Sequence, residues 1–260
     1  MPSAGRARPS TAMRPLRTAP LACCMYCLDS GVPRTEEHLV PRALGGRLTL
    51  RDAVCEPCRR VTGRLEQLTL DREFAVPKTL LALKRRRAPA EGPKRLPVVM
   101  LADGSVALEP TPATFPRGFA LPTFEPPGLL TARPADTPPR IAFVDCRLDL
   151  GSPSRDATAA PPALSDPFAY GWSIAKWAFA LAVAERGLDG CDLQPMRDLM
   201  LGRRADVFAF VGTASPRAPA PRAWLHHVTW RDADGWLVAT LALFASAGMT
   251  PYEVVIGRLR

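Results

Sequence analysis

Four cysteines form two matched pairs, Cys24-Met-Tyr-Cys27 and Cys55-Glu-Pro-Cys58, with 27 residues between the pairs. Each C-x-x-C turn can direct two sulfurs toward one cation, and a structural zinc ion takes four such ligands in a tetrahedron. In a reducing compartment, paired motifs of this kind indicate metal ligands rather than disulfides. The spacing therefore predicts a structural zinc site made by Cys24, Cys27, Cys55 and Cys58.

The segment between the two pairs carries an acid beside a base, Glu37-His38, in a chain that has three histidines. A neutral imidazole can take a proton from water, and a carboxylate can hold a hard divalent cation such as Mg²⁺. These two roles together are what metal-assisted hydrolysis of a phosphodiester requires. Neighbouring side chains on a strand point to opposite faces, so the pair shares a target only if the strand bends. Taken alone, the pair is better explained as a surface glutamate and a capping histidine.

The whole stretch from Cys24 to Glu66 resembles the HNH endonuclease superfamily, in the form where two C-x-x-C pairs clip a ββα-metal finger. The matching features, in order, are the first pair, Glu37-His38-Leu39-Val40-Pro41, Gly45-Gly46, the second pair opening a helix, and then Gly63 and Glu66. The resemblance implies that His38 is the general base and that Glu37 ligates a catalytic divalent cation, Mg²⁺ or another. It also implies that the zinc ion is structural and does no chemistry.

Two positions depart from the pattern of that family. The second strand, "TLRDAV", lacks the usual central Asn, and Asp52 is its nearest polar residue. Arg59 stands after the last cysteine, where the family has Asn or His, and its fixed positive charge repels a metal cation. Three arrangements stay open: Arg59 with Arg60 binds the phosphates of the substrate, Asp52 or Glu66 completes the metal site, or the finger has lost catalysis.

These features favour an HNH-type endonuclease that hydrolyses phosphodiester bonds of nucleic acid, weakened by the replacement at Arg59. The alternative is a catalytically inactive zinc-binding protein that binds nucleic acid or acts as a scaffold. In both cases the predicted partner is nucleic acid, with DNA the first expectation. The net charge of +9 and the pI near 9.6 agree with a polyanionic partner.

The elements that must position these residues follow from patterning along the chain. The fold class we predict is α+β, a small zinc-stabilised ββα-metal finger followed by an α+β domain with two helices and antiparallel strands. The predicted units are a disordered basic arm at 1–20, the finger at 21–83, a basic linker at 84–96 and the α+β domain at 97–260, with Pro-rich loops at 109–139 and 151–166.

Within the second domain, a helix is expected between Asp166 as its N-cap and Gly187 as its stop. Two strands are expected around the Asp234-Gly235 turn. No stretch approaches the roughly 20 apolar residues of a membrane span, and Lys176 interrupts the most apolar run. No secretory signal is recognisable, so we expect a cytoplasmic protein without a membrane partner.

Overall fold

The structure is a computed structural model that describes residues 19–80, 99–100, 106–107, 118–134, 137–147, 158–159, 166–214, 225–245 and 249–260. The predicted basic linker at 84–96 lies outside the described residues. The same holds for the predicted basic arm, apart from residues 19 and 20, and for parts of the two predicted Pro-rich loops.

The cysteine-bearing region folds as two strands and a helix, as predicted. Its elements are β1 (Arg34–His38), a short 3-10 turn (Arg42–Leu44), β2 (Thr49–Cys55), α1 (Glu56–Arg72) and α2 (Ala75–Leu80). Strands β1 and β2 pair antiparallel, and their register shifts between Thr35 and Glu37. Asp52 on β2 has a φ of +48° beside that irregularity. The strands therefore bend at the level of the acid-histidine pair.

The loop between the two strands is closed tightly by glycine. Gly45 ends the 3-10 turn with a φ of +88°, a conformation that suits glycine. A Cβ added to Gly46 would lie 1.9 Å from the carbonyl oxygen of Val40, so a side chain does not fit there. The Gly-Gly pair is thus required by the path of the loop, which buries Leu44 completely.

The remaining elements confirm the α+β class. They are β3 (Val99–Met100), β4 (Val106–Ala107), β5 (Gly118–Phe124), α3 (Gly128–Thr131), β6 (Ile141–Arg147), β7 (Thr158–Ala159), α4 (Pro167–Arg186), α5 (Gln194–Met200), α6 (Val207–Phe210), β8 (Val211–Thr213), β9 (His226–Ala233), β10 (Trp236–Leu243) and β11 (Tyr252–Arg258). A four-stranded antiparallel sheet has the order β8-β11-β10-β9, and a second sheet has the order β6-β5-β7. The strands are antiparallel except for the pairing of β5 with β7, which is parallel.

Helix α4 is the central element, and its ends are those that the sequence predicts. The Asp166 side chain accepts a hydrogen bond from the N–H of Ala169, and the N–H of Gly187 donates to the carbonyl of Val183. Residues from Ala169 to Ala184 are buried along the whole helix. The helix contacts α1 of the finger as well as β8, β10 and β11, so one hydrophobic core continues from the finger into the sheet.

The predicted turn between β9 and β10 is also present. Asp234 and Gly235 have φ values of +52° and +79°, the signs that a two-residue type I′ hairpin turn requires. Pairing continues from Trp236 opposite Ala233 to the far end of β10. Within the described part of the chain, no helix is long and apolar enough to cross a membrane.

Candidate metal centre and buried charge cluster

The four predicted cysteines come together at one end of the finger. Their sulfur atoms all lie within 4.8 Å of one another, and the sulfurs of Cys27 and Cys55 are 3.7 Å apart. Four ligands at the Zn–S distance of about 2.3 Å would be about 3.8 Å apart in a tetrahedron. A disulfide needs about 2.05 Å. The spacing therefore fits four ligands of a metal ion such as zinc and does not fit a disulfide.

Backbone hydrogen bonds shape the first cysteine turn. The N–H of Cys24 donates to the carbonyl of Asp29 at 2.9 Å, and the N–H of Leu28 donates to the carbonyl of Cys24 at 2.8 Å. The N–H of Met25 donates to Ala53 on β2 at 2.8 Å, which brings this turn against the strand that ends at Cys55. The second turn lies where β2 passes into α1, so local structure sets both cysteine pairs.

The thiols sit in environments of different polarity. Burial opposes ionisation of Cys24, but the backbone N–H groups of Cys27, Cys55 and Tyr26 favour its thiolate, and the net pKa is lowered. Burial raises the pKa values of Cys27 and Cys58. Since metal binding requires thiolates, a bound cation would supply the charge that favours them. The four side chains fit a structural site with no open position for chemistry.

Glu37, the predicted ligand of a catalytic cation, points into the protein. It is 7% exposed and its Oε1 atom lies 2.9 Å from the Nζ atom of Lys176 on α4. The hydroxyl of Tyr26 also donates to Oε1, at 3.2 Å. Burial raises the pKa of Glu37, and the positive charge of Lys176 opposes that rise. The carboxyl group is thus already held by two donors from other elements.

Lys176 joins Glu37 to a second carboxylate. Its Nζ atom lies 2.8 Å from Oε2 of Glu66 on α1, while the indole N–H of Trp177 donates to Oε1 of Glu66 at 2.6 Å. Burial alone would lower the pKa of Lys176, but the charges of Glu37 and Glu66 more than offset that effect and the pKa is raised. We call Tyr26, Glu37, Glu66, Lys176 and Trp177 the buried charge cluster.

The remaining predicted site residues lie closer to solvent. His38 is half-buried on β1 opposite Thr49, and its imidazole has no hydrogen bond to the described residues. Arg59 and Arg60 are exposed and both donate to Glu56, at 2.6 to 2.9 Å. These bonds lower the pKa of Glu56 to about 2. The structure therefore brings Glu37 and Glu66 together, while both arginines project outward.

Asp52, the second candidate for completing a metal site, is exposed on β2. Glu66, by contrast, is joined to Glu37 by Lys176, a residue more than a hundred positions away in the chain. Sequence patterning gave no role to Lys176, although a lysine inside an apolar helix was a usable signal. A charge is rarely buried without a partner of opposite sign.

Polar side chains also connect α1 to α4 beyond this cluster. The hydroxyl of Thr69 donates to the carbonyl of Ala169 at 3.0 Å and accepts from the hydroxyl of Ser173 at 3.0 Å. The N–H of Asp166 donates to Glu73 at 3.1 Å. Each of these bonds forms in one alignment of the two helices. Together they set the orientation of the finger relative to α4.

His226 provides a further link between the finger and the sheet. Its Nε2 atom lies 2.7 Å from the carbonyl oxygen of Leu44, and its Nδ1 atom accepts from the N–H of Phe244 at 3.3 Å. These two bonds require the neutral ring with its proton on Nε2. Burial lowers the pKa of His226, against a smaller opposite effect of the Leu44 carbonyl. These contacts indicate that His226 has a structural role.

The chain matches no protein-family model, no curated protein and no solved structure. The likeness to the HNH superfamily accordingly rests on residues 24–66, on their β-β-α order and on the cysteine cluster. These features are compatible with a zinc-binding module.

Proposed function

We propose that this chain is an HNH-type finger protein that binds nucleic acid and does not cleave it by the metal-assisted route. A zinc ion held by Cys24, Cys27, Cys55 and Cys58 stabilises the finger. The observation that carries the proposal is the position of Lys176, whose ammonium group lies between Glu37 and Glu66.

A catalytic cation at Glu37 would compete directly with that ammonium group. The side chains of Lys176 and Glu37 are only 4% and 8% exposed, so little water is available to screen a second positive charge. Two unit charges 4 Å apart repel by about 4 kcal/mol at an effective dielectric constant of about 20, and a divalent ion doubles this to about 8 kcal/mol. Mg²⁺ also parts reluctantly with its water ligands. These costs favour a site without a catalytic metal.

Arg59 adds a positive charge that acts on Glu37 from a distance, without contact. The pKa of Arg59 is raised, chiefly by its hydrogen bonds to Glu56 and in smaller part by the charge of Glu37. Since a guanidinium group cannot ligate a metal ion, the position where the family has Asn or His contributes no ligand here. This supports the interpretation that the finger has kept its zinc clip and lost its catalytic cation.

The surface of the finger is suited to phosphate contacts. Its acids Glu37 and Glu73 are buried and Glu66 is half-buried, whereas four others are exposed: Asp29, Glu36, Asp52 and Asp71. Its exposed cations are Arg42, Arg47, Arg51, Arg59, Arg60 and Arg64. Arginine side chains on one small module can neutralise phosphates and release the counterions of a nucleic acid. The excess of exposed arginines over exposed acids supports a binding role for the finger.

A second candidate is the metal-dependent HNH endonuclease. The observation in its favour is the state of His38, which is half-buried and has no hydrogen bond to the described residues. Its imidazole is therefore available to accept a proton from water. In this alternative, Glu37 exchanges Lys176 for Mg²⁺ when the substrate binds, and Arg59 and Arg60 contact the phosphates.

A cleavage assay separates the two candidates. Zinc-loaded protein and its His38→Ala variant are incubated with supercoiled plasmid in Mg²⁺ or Mn²⁺, and nicking is measured on gels. We expect equal, background-level nicking by both proteins. Nicking that the wild type performs and His38→Ala does not would establish the second candidate instead.

Binding is tested by fluorescence anisotropy of a labelled DNA duplex over a range of salt concentrations. We expect the logarithm of the association constant to fall linearly with the logarithm of salt concentration. Arg60→Ala and Arg64→Ala should each reduce the slope by about one if each contacts a phosphate. Arg203→Ala, an exposed arginine after α5, is the matched control and should leave the slope unchanged. Absence of binding at low salt would contradict a nucleic-acid partner and leave a scaffold role.

A further inference from the structure

We propose that Arg197 on α5 is a positioning residue for the zinc site, so that zinc binding and the packing of the finger on the C-terminal domain stabilise each other. The inference rests on the zinc part of the proposed function and is independent of nucleic-acid binding. Arg197 lies 172 positions from Met25, the residue whose backbone it contacts.

The contact falls inside the first cysteine pair. The Nε atom of Arg197 donates to the carbonyl oxygen of Met25 at 3.1 Å, and Met25 follows Cys24 directly. On its other side, the N–H of Met25 donates to Ala53 at 2.8 Å. The peptide groups before and after Met25 are thus held by two different parts of the protein. Since these peptides connect Cys24 to Cys27, their orientation helps set where the two sulfurs point.

Helix α5, which carries Arg197, is packed in the hydrophobic core. Met196, Leu199 and Met200 are fully buried, and the indole N–H of Trp172 on α4 donates to the carbonyl of Leu199 at 3.2 Å. Arg197 itself is only 7% exposed. The buried side chain on a packed helix therefore leaves the guanidinium group little room to move away from the Met25 carbonyl.

Coupling of this kind is reciprocal. If packing on α5 raises zinc affinity, then zinc must stabilise the packing of α5 by the same free energy. Removal of zinc should consequently loosen a helix that carries none of its ligands. This consequence can be measured separately from zinc affinity.

Zinc affinity is measured by competition with a chromogenic chelator for the full chain and its variants. Loss of a residue that orients a ligand typically lowers metal affinity about 10- to 100-fold, and we expect Arg197→Gln to fall in this range. Arg197→Lys, which retains a charge and a donor, should recover part of the loss. Arg203→Gln, an exposed arginine next to the same helix, should change affinity less than about twofold.

A control for general destabilisation is Ile256→Val, which removes one buried methylene from β11, a strand that carries none of the four ligands. It should lower the melting temperature by about 1–6 °C and leave the zinc affinity of the folded protein unchanged. Equal zinc affinity in the wild type and Arg197→Gln would overturn the inference while leaving the four-cysteine zinc site intact. Equal weakening by Arg197→Gln and Ile256→Val would overturn it as well.

A second measurement uses the wild type alone and holds even if Arg197→Gln does not fold. Amide hydrogen exchange is compared with zinc bound and after chelation. We expect faster exchange in α5 (Gln194–Met200) as well as in residues 24–58, with the paired strands β5 and β6 unchanged. Faster exchange confined to the finger would overturn the coupling. A wild type that binds no zinc would overturn both this inference and the zinc part of the proposed function.

Discussion

Replacing Lys176 by methionine tests the buried charge cluster directly, because methionine retains an unbranched side chain of similar length and removes the charge. In the wild type, one ammonium group lies within 2.9 Å of Glu37 and within 2.8 Å of Glu66. The substitution leaves two carboxylates facing each other, one of them almost fully buried. The side chain of Glu37 is 8% exposed and that of Glu66 is 19% exposed, so the charge of Glu37 is the one left without solvent.

The magnitude follows from the cost of breaking a buried ion pair. Removing one partner typically destabilises a protein by about 3–5 kcal/mol, because the remaining charge stays desolvated. For a chain of this size, each kcal/mol lowers the melting temperature by about 2–4 °C, so Lys176→Met should lose about 6–20 °C. Arg203→Met removes a cation whose side chain is 61% exposed, and it should cost about 0–1 kcal/mol.

Urea and thermal unfolding of the zinc-loaded protein provide the measurement. A triple variant that combines Lys176→Met with Glu37→Gln and Glu66→Gln should recover most of the loss, because the amides keep the bonds from Tyr26 and Trp177 without a buried charge. The reasoning would be refuted if Lys176→Met cost no more than Arg203→Met, or if the triple variant were no more stable than Lys176→Met.

Three further predictions concern other parts of the same architecture. Cys55→Ser should abolish the binding of about one zinc ion per chain and lower the melting temperature, whereas Cys23→Ser should retain the metal; elemental analysis of the purified proteins decides this. His226 has a folded-state pKa below its unfolded value of about 6.5. Its contribution to stability is therefore complete above pH 6.5 and is lost as the pH falls below that value. Urea unfolding between pH 7.5 and 5 should show a smaller decrease in the free energy of unfolding for His226→Gln than for the wild type. Gly46→Ala should destabilise the protein by more than about 1 kcal/mol, because the added Cβ would overlap the carbonyl oxygen of Val40. Gly63→Ala should stabilise it by about 0.5–1 kcal/mol, because the added Cβ lies in a helix with nothing within 4 Å. Equal effects of the two variants in thermal unfolding would contradict the steric argument.

Local features of the fold were predictable because each is specified by a few adjacent residues. Asp166 and Gly187 mark the two ends of α4, and Asp234-Gly235 marks the turn between β9 and β10. The C-x-x-C pairs identified four residues whose sulfurs indeed lie together. In each case, the physical requirement is local: a cap for free N–H groups, a positive φ, or a turn that presents two sulfurs.

The candidate site was predictable only in part. The resemblance assigned roles to the neighbouring residues Glu37 and His38. In the structure both residues lie on β1, and the side chain of Glu37 is buried. Whether a carboxylate faces solvent or a buried lysine depends on what packs against it. In the sequence, Lys176 is an interruption in an apolar run. The linear pattern does not predict which acid forms an ion pair with it.

By itself, the sequence determined the chemistry that is available: four thiols at metal-ligand spacing, an acid-histidine pair, an excess of positive charge and a long apolar helix. These follow from residue type and from separations of a few positions. Tertiary structure alone decided how that chemistry is used, because it placed Lys176 between Glu37 and Glu66 and Arg197 against the first cysteine turn. Both contacts join residues more than a hundred positions apart. A buried charge acquires its partner when helices pack together, and only that packing determines which groups remain free to act.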